Sequence, residues 1–569
     1  MKVNKLKNFW LKLPIREKIL TSVFIALIFT GIILLITGAY NNVTEVVPAG
    51  GGTWRLGEIG ELSFINPVLT QTNDTDRDLE ELIYNGLFRI DGQGKIMPDL
   101  AAKYEVSPDG KTYDVYLKDN VLWHDGMEFK SDDVVFTISA IQDPEYHSPL
   151  RLNWQGIVAE KINDTMVRFH LRNPYEPFLQ NLTIKILPQH IWQNIQPKNF
   201  SLAEYNLKPI GTGPYRFENF QKNQSGTILN YTLEANNNYF NGKPKLQTLA
   251  FYFFENFDEA VKGLLRRDVD GLSELPLDKY SILKNRRALR IDQLILPRYY
   301  AIFFNASKNR LLGDINIREA LSLVIDKQEM VKKILNNQGI VLNAPISPGF
   351  LGYSEALNQS EFDLEQAIKI LNDNSWIDSD NDGIREKTLA KEKSPTKLEI
   401  TLTYPRNDQL ESVADFIRTS WLKLGVKISL QSLPIRDLEK DYIRPREYQA
   451  LIFGNVVGID PDLFAFWHSS QKNDPGLNLS MYSNSKVDAL LEETRQNNNQ
   501  EKRQSNLEMI QTIIGQDKPA IFLYNPYYLY INNSQIKGNN IKIVNYPSER
   551  LINIDSWYLN TKRVIKLSE

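Results

Sequence analysis

Few residues in this chain have the types and spacing to do chemistry, and the clearest set is acidic. Asp378, Asp380 and Asp382, in Asp378-Ser379-Asp380-Asn381-Asp382-Gly383, carry the spacing of a calcium loop. Alternate carboxylates followed by a glycine turn can aim their oxygens at one hard cation, but the EF-hand pattern then needs a bidentate Glu at its twelfth position. Leu389 stands there. Two readings follow, a solvated acidic turn and a weak Ca²⁺ site. The five histidines, His124, His147, His170, His190 and His468, form no i,i+4 pair. No HExxH, GxSxG or P-loop occurs either. His124 beside Asp125 offers a base and an orienting carboxylate, but its tight turn, Trp123-His124-Asp125-Gly126, favours a structural hydrogen bond. Gly211-Thr212-Gly213-Pro214 is no phosphate cradle, because Pro214 removes a backbone donor where such a loop needs one. The chain has no cysteine, which excludes disulfides, thiol catalysis and thiolate metal sites. Neither a catalytic set nor a cofactor is expected.

The elements that must position these residues alternate between helix and strand, which makes the class α/β. Thr112 to Leu117 and Met166 to Leu171 alternate apolar and polar residues as half-buried strands do. Ser131 reads as an N-cap with Asp132 and Asp133 in the first turn. Arg77 to Leu87 carries Leu79, Leu82 and Ile83 at helical spacing. Asp326 with Glu329 opens another helix in capping-box style, and Asp363 caps a further one that places Leu364, Ala367, Ile368 and Leu371 on one face. Two apolar, tyrosine-rich strands stand out, Arg298 to Asn305 and Ala520 to Tyr524. At 569 residues the chain exceeds one ordinary core, so two or more lobes are expected. A net charge of −3 offers nothing to nucleic acid.

The N-terminus points to a membrane. Lys2, Lys5, Lys7, Lys12, Arg16 and Lys18 precede an uncharged run from Ile19 to Tyr40, long enough for a bilayer core of roughly 30 Å. The basic flank predicts a cytoplasmic segment at 1–18, an anchor at 19–40 and the large remainder outside. A cleavable signal peptide is the rival reading, with Thr37-Gly38-Ala39 as its small-residue site. Residues 41–52, ending in three glycines, read as a flexible linker.

The wording of several segments is distinctive. Leu82-Ile83-Tyr84-Asn85-Gly86-Leu87, Pro98-Asp99-Leu100-Ala101, Ser107-Pro108-Asp109-Gly110-Lys111-Thr112-Tyr113, Trp123-His124-Asp125-Gly126 and Ser131-Asp132-Asp133-Val134-Val135-Phe136 come in this order. Pro209 to Phe217 and Asn238 to Pro244 follow. Together they resemble the extracellular solute-binding proteins of ABC importers, family 5, the oligopeptide-, dipeptide- and nickel-binding proteins. The resemblance implies a two-lobed periplasmic-binding-protein fold of class II, with the tyrosine-rich strands near the crossovers. The first lobe is then expected at 53–296, the second at 297–524, and 525–569 returns to the first.

It also implies a site. The apolar strand Ala450 to Val456, running on through Val457 to Asp460-Pro461-Asp462, resembles the segment that ends at the ligand cleft. In peptide-binding members its backbone pairs with the ligand main chain, so Phe453, Gly454, Asn455, Val456, Val457 and Asp460 are the expected contacts. The polar loop from Asn66 to Asp74 faces the ligand from the other lobe, which adds Thr72 and Asn73. Peptide binders usually place an aspartate three residues before the position of Asp460, where it holds the peptide ammonium; here that residue is Val457. Either Asp460 or Asp462 substitutes, or the ligand is no free-N-terminus peptide. The expected role is therefore a monomeric, non-enzymatic binder that captures a peptide or other small solute. It would deliver that solute to permease subunits served by a separate ATPase. A sugar, metal chelate or haem as ligand, or a tethered sensor or chaperone-like binder, are the alternatives.

Overall fold

A computed structural model describes residues 14–69, 73–359, 362–390, 392–497 and 499–566. The structure is built on three main sheets. A seven-stranded sheet has the spatial order Leu289–Leu294, Tyr528–Asn533, Gly271–Leu272, Thr53–Ile59, Thr248–Phe254, Ile228–Ala235 and Tyr215–Lys222. A four-stranded antiparallel sheet (Ala101–Val106, Thr112–Leu117, Met166–Leu171, Ile157–Asn163) belongs to the same lobe and shares its apolar core. The other lobe holds a six-stranded sheet, ordered Gly339–Val341, Ala520–Pro526, Arg298–Phe304, Ala450–Val456, Glu399–Pro405 and Lys427–Leu433.

The chain passes between the large sheets twice. It leaves the seven-stranded sheet after Leu294 and enters the six-stranded one at Arg298; it leaves at Pro526 and re-enters the first at Tyr528. Both passages sit side by side, because Arg298–Phe304 and Ala520–Pro526 are neighbours, and so are Leu289–Leu294 and Tyr528–Asn533.

The six-stranded sheet is buried on both faces, as its near-continuous apolar strands require. Ile302, Phe304, Ile400, Leu402, Ala450 and Ile452 pack on one side with Trp421. Tyr299, Ala301, Phe303, Leu451 and Phe522 pack on the other with Trp467. Odd and even residues of one strand thus serve two cores, the period of two that a pleated strand imposes.

Three local expectations are revised. The helix expected from Arg77 to Leu87 runs Asp74–Ile83 instead; Tyr84 is already extended, because Asn85 is drawn into contacts described below and Gly86 pairs with Lys185 and accepts from Leu100 N–H. Ser131 is the first helical residue, not the cap, and its hydroxyl donates to Asn163 O at 2.6 Å. The stretch 41–52 is not a free linker. The N-terminal helix continues through Val43, and Thr44–Ala49 forms an antiparallel ribbon with Asn560–Ile565. The physical reason lies at the other end of the sequence: Thr44, Val46 and Val47 are good strand residues whose partner is the C-terminal strand. The glycines that follow are tied down too, with Gly51 N–H donating to Lys245 O (2.8 Å) and Gln247 N–H to Gly52 O (3.0 Å).

Candidate functional site

The distinctive segments of the sequence meet inside the first lobe. His124 Nδ1 accepts from Gly211 N–H (3.1 Å) while its Nε2 lies 3.0 Å from Gly213 O. One ring nitrogen must therefore accept and the other donate, which fixes a neutral imidazole. Burial holds its pKa down to about 4, against a partial opposing pull from the Gly213 carbonyl. Gly213 N–H donates in turn to Ile83 O at 2.8 Å. A Cβ on Gly211 would lie 1.8 Å from Ile83 O, and one on Gly213 2.5 Å from Leu82 O; only glycine permits that approach. Asn85 then accepts from Thr212 Oγ1 (3.0 Å) and donates to Asp99 Oδ2 (2.8 Å) and Tyr239 Oη (3.3 Å). Four of the segments and Tyr239 of a fifth are one buried polar network. It is scaffold.

The expected cleft strand divides by parity. Gly454 faces Tyr300, whose ring would meet a Cβ there at 3.2 Å. Tyr300 itself stacks on Tyr524 at 5.3 Å and 24°. Val456 pairs with Arg298 at the crossover and is 57% exposed. Phe453, Asn455 and Val457 turn the other way. Phe453 packs on the second lobe's core, Val457 is buried in it with Ile459, and Asn455 donates to Tyr299 Oη at 3.0 Å. Val457 N–H donates to Pro297 O at 2.7 Å, tying the strand end to the passage between lobes.

The two aspartates that could substitute for a missing ammonium partner are both occupied. Asp460 is paired with Arg503, and Asp462 takes a bidentate pair from Arg495 at 2.6 to 3.0 Å. Arg503 also meets Glu176 of the first lobe at 2.5 Å, and Glu176 N–H donates to Arg495 O at 3.1 Å. Asp460 is thereby part of an ion triad that joins the lobes. Burial and the neighbouring Asp460 push the Glu176 carboxyl up to about 7.

Of the facing loop, Thr72 lies outside the described residues. Asn73 caps the helix Asp74–Ile83, accepting from Thr75 N–H (3.1 Å) and donating to Glu61 O (2.9 Å), so both its polar atoms are committed. In the acidic loop the oxygens of Asp378, Asp380 and Asp382 lie within 4.8 Å of one another, all three residues exposed. Lys397 bridges Asp380 and Asp382, and Asp378 accepts from Asp382 and Gly383 N–H. One ammonium and several backbone donors engage the loop as it stands.

Sequence reading gave no hint of a further set. A cavity of 270 Å³ in the first lobe is lined by Glu58, Asn73, Asp74, Asp78, Ser273, Glu274 and Tyr528, with Ile59 and Phe257 as apolar walls. Behind it Arg550, fully buried, grips Asp78 through both Nη atoms, one at 2.7 Å. Asp78 and Arg550 are 472 residues apart, so no spacing rule could have joined them.

Comparison with known proteins identifies the architecture. Residues 95–476 match the family model described as bacterial extracellular solute-binding proteins, family 5 middle. The oligopeptide-binding protein AppA of Bacillus subtilis is 29% identical over 520 residues, covering 90% of this chain and 92% of that protein. Its structure in complex with a nonapeptide superposes with a TM-score of 0.67 at 27% identity, over 90% of this chain and all of that one. NikZ of Campylobacter jejuni in complex with Ni(L-His) gives 0.69 at 27% identity, over 89% and 99%.

Proposed function

The chain belongs to family 5 of the bacterial extracellular solute-binding proteins, and we propose that it captures a peptide or peptide-like solute between its two lobes and delivers it to an ABC importer. The carrying observation is the double passage at 294–298 and 526–528, with Arg298, Tyr300, Tyr524 and exposed Val456 gathered where the lobes meet. Two adjacent strands form a natural hinge, and a ligand that touches both lobes shifts the population toward the closed form. The full-length likeness to AppA, an oligopeptide-binding protein, supports peptide as the ligand class. The permease and its ATPase are separate partners, and the binder acts as a monomer. In this reading the first lobe is 53–296 with 525–569, and the second is 297–524.

The same reading places the protein on the membrane, its bulk outside. An 18-residue stretch of the helix Ile15–Val43 reaches a mean hydropathy of 2.8, and the helix has no buried residue. It runs into the ribbon without a break: Thr44 Oγ1 donates to Tyr40 O at 2.6 Å, and Lys566 N–H donates to Val43 O at 2.9 Å. Arg563 lies over the Tyr40 ring at 5.4 Å. An aromatic and a cation at the outer helix end suit the headgroup region of an anchored helix.

A non-peptide ligand is the second reading, favoured by Val457 and by the arginines that occupy Asp460 and Asp462. NikZ shows that a relative of equal likeness takes a nickel–histidine chelate. Mass spectrometry of small molecules released from the purified chain separates the two. Short peptides with free N-termini are expected; a metal chelate, sugar or haem as the sole released species would replace the first reading with the second.

A further inference from the structure

The geometry points to the 270 Å³ cavity of the first lobe as a subsite for an organic cation, a primary ammonium or guanidinium carried on a short apolar stem. This deepens the solute-binding reading and rests on it. Four carboxylates line the cavity, Glu58, Asp74, Asp78 and Glu274, and the described residues balance only part of that charge. Arg550 is spent on Asp78, bidentately and fully buried. Asp74 is met by Arg77 at 3.7 Å.

Glu58 is the anomaly. It is 3% exposed, yet its Oε1 has no hydrogen-bond donor among the described residues, and the nearest cation, Arg550 Nη2, stands 3.7 Å off. A buried carboxylate oxygen left without a donor is costly, and it marks a place for a missing partner. Burial and the adjacent Asp78 raise its pKa well above the ordinary range, against the opposing pull of Arg550 and Ser273. Glu274, exposed at the cavity mouth, also has no hydrogen bond or ion pair among the described residues. Ile59, Phe257 and the Tyr528 ring supply walls for an alkyl stem, while the Tyr528 hydroxyl is fixed on Ser273 O at 2.8 Å.

Position fits the role. Tyr528 begins the strand that returns from the second lobe, Asn73 and Asp74 end the loop expected to face the ligand, and the second lobe offers no free carboxylate at Val457, Asp460 or Asp462. The negative charge that would hold a ligand's cation has moved across the cleft.

Calorimetric titration of the full chain in detergent tests this with three probes: trialanine, N-acetyl-trialanine and agmatine. Trialanine should bind at least tenfold more tightly than its acetylated form, agmatine should compete with it, and Glu274→Gln should abolish both effects. Glu58→Gln should act in the same direction; should it fail to fold, the exposed Glu274 variant carries the test. A free-amine preference that survives Glu274→Gln overturns the subsite and leaves peptide capture standing. Agmatine binding that depends on Glu274, with neither peptide bound, upholds the subsite and overturns peptide capture. No binding of any probe overturns both.

Discussion

His124 accepts one backbone hydrogen bond and is placed to make a second with Gly213 O, and it can accept only while neutral. Its pKa, about 4 in the folded chain against 6.5 for a free histidine, makes folding pH-dependent in a set direction. Between those values the unfolded chain holds more protons, so stability contributed at neutral pH is lost as pH falls. Denaturant titrations at pH 7 and pH 5 should show this loss in the parent. They should show a smaller one in His124→Leu, which also costs about 1–3 kcal/mol by stranding the Gly211 N–H. Val457 gives the second residue-scale expectation. Its side chain is buried among Ile459, Tyr299 and Trp467, so Val457→Asp should destabilise by about 2–4 kcal/mol, as a buried unpaired charge does, and should not improve peptide affinity. Both results are readable by chemical denaturation and calorimetry. The structural role of His124 was legible from its tight turn, and so was the apolar strand at 450–456. Which side of the strand each residue takes was not, because a contiguous apolar run between two cores shows no alternation. The Glu58, Asp78 and Arg550 cluster was out of reach, since its members come from three separate parts of the chain.

At the scale of elements, local signals served where the partner is near and failed where it is distant. The caps at Asp326 and Asp363 accept from Glu329 and Gln366 N–H, as their spacing implies. The stretch 44–49 looked like linker because nothing within it announces a partner at 560–565. The ribbon stiffens the stretch between the N-terminal helix and the first lobe. Six paired residues at about 3.4 Å each span about 20 Å, and the bonded glycines beyond remove the slack a free linker would give. Hydrogen exchange should find the amides within 44–49 that bond across the ribbon protected in the full chain. In a chain ending at Leu559 they should exchange at open-chain rates, with protection retained in the strand Thr53–Ile59. Fast exchange at 44–49 in the full chain would contradict the ribbon.

At the scale of the molecule, the lobes are joined by the two passages and by the triad of Glu176, Asp460 and Arg503. The triad gives closure a pH sign opposite to a simple salt bridge. Glu176 has a pKa near 7 when the lobes meet, against 4.5 for a free glutamate, so the closed form binds more protons between these values. Closure is then favoured below neutrality, and that contribution fades as pH rises through 7. Small-angle scattering should show a smaller radius of gyration at pH 5.5 than at pH 8 for the parent and little difference for Glu176→Gln. The family and its two lobes were legible from the distinctive segments, several of which meet in the buried network of the first lobe; the ligand's own contacts were not, because scaffold wording says nothing about the cleft. The central claim is capture between the lobes, and one measurement bears on it most directly: scattering from the purified chain, stripped of bound solutes, before and after saturation with a tryptic casein digest. A fall in the radius of gyration, with peptides recovered from the complex, is the predicted result. Recovery of peptides with no compaction, or no recovery at all, would contradict it.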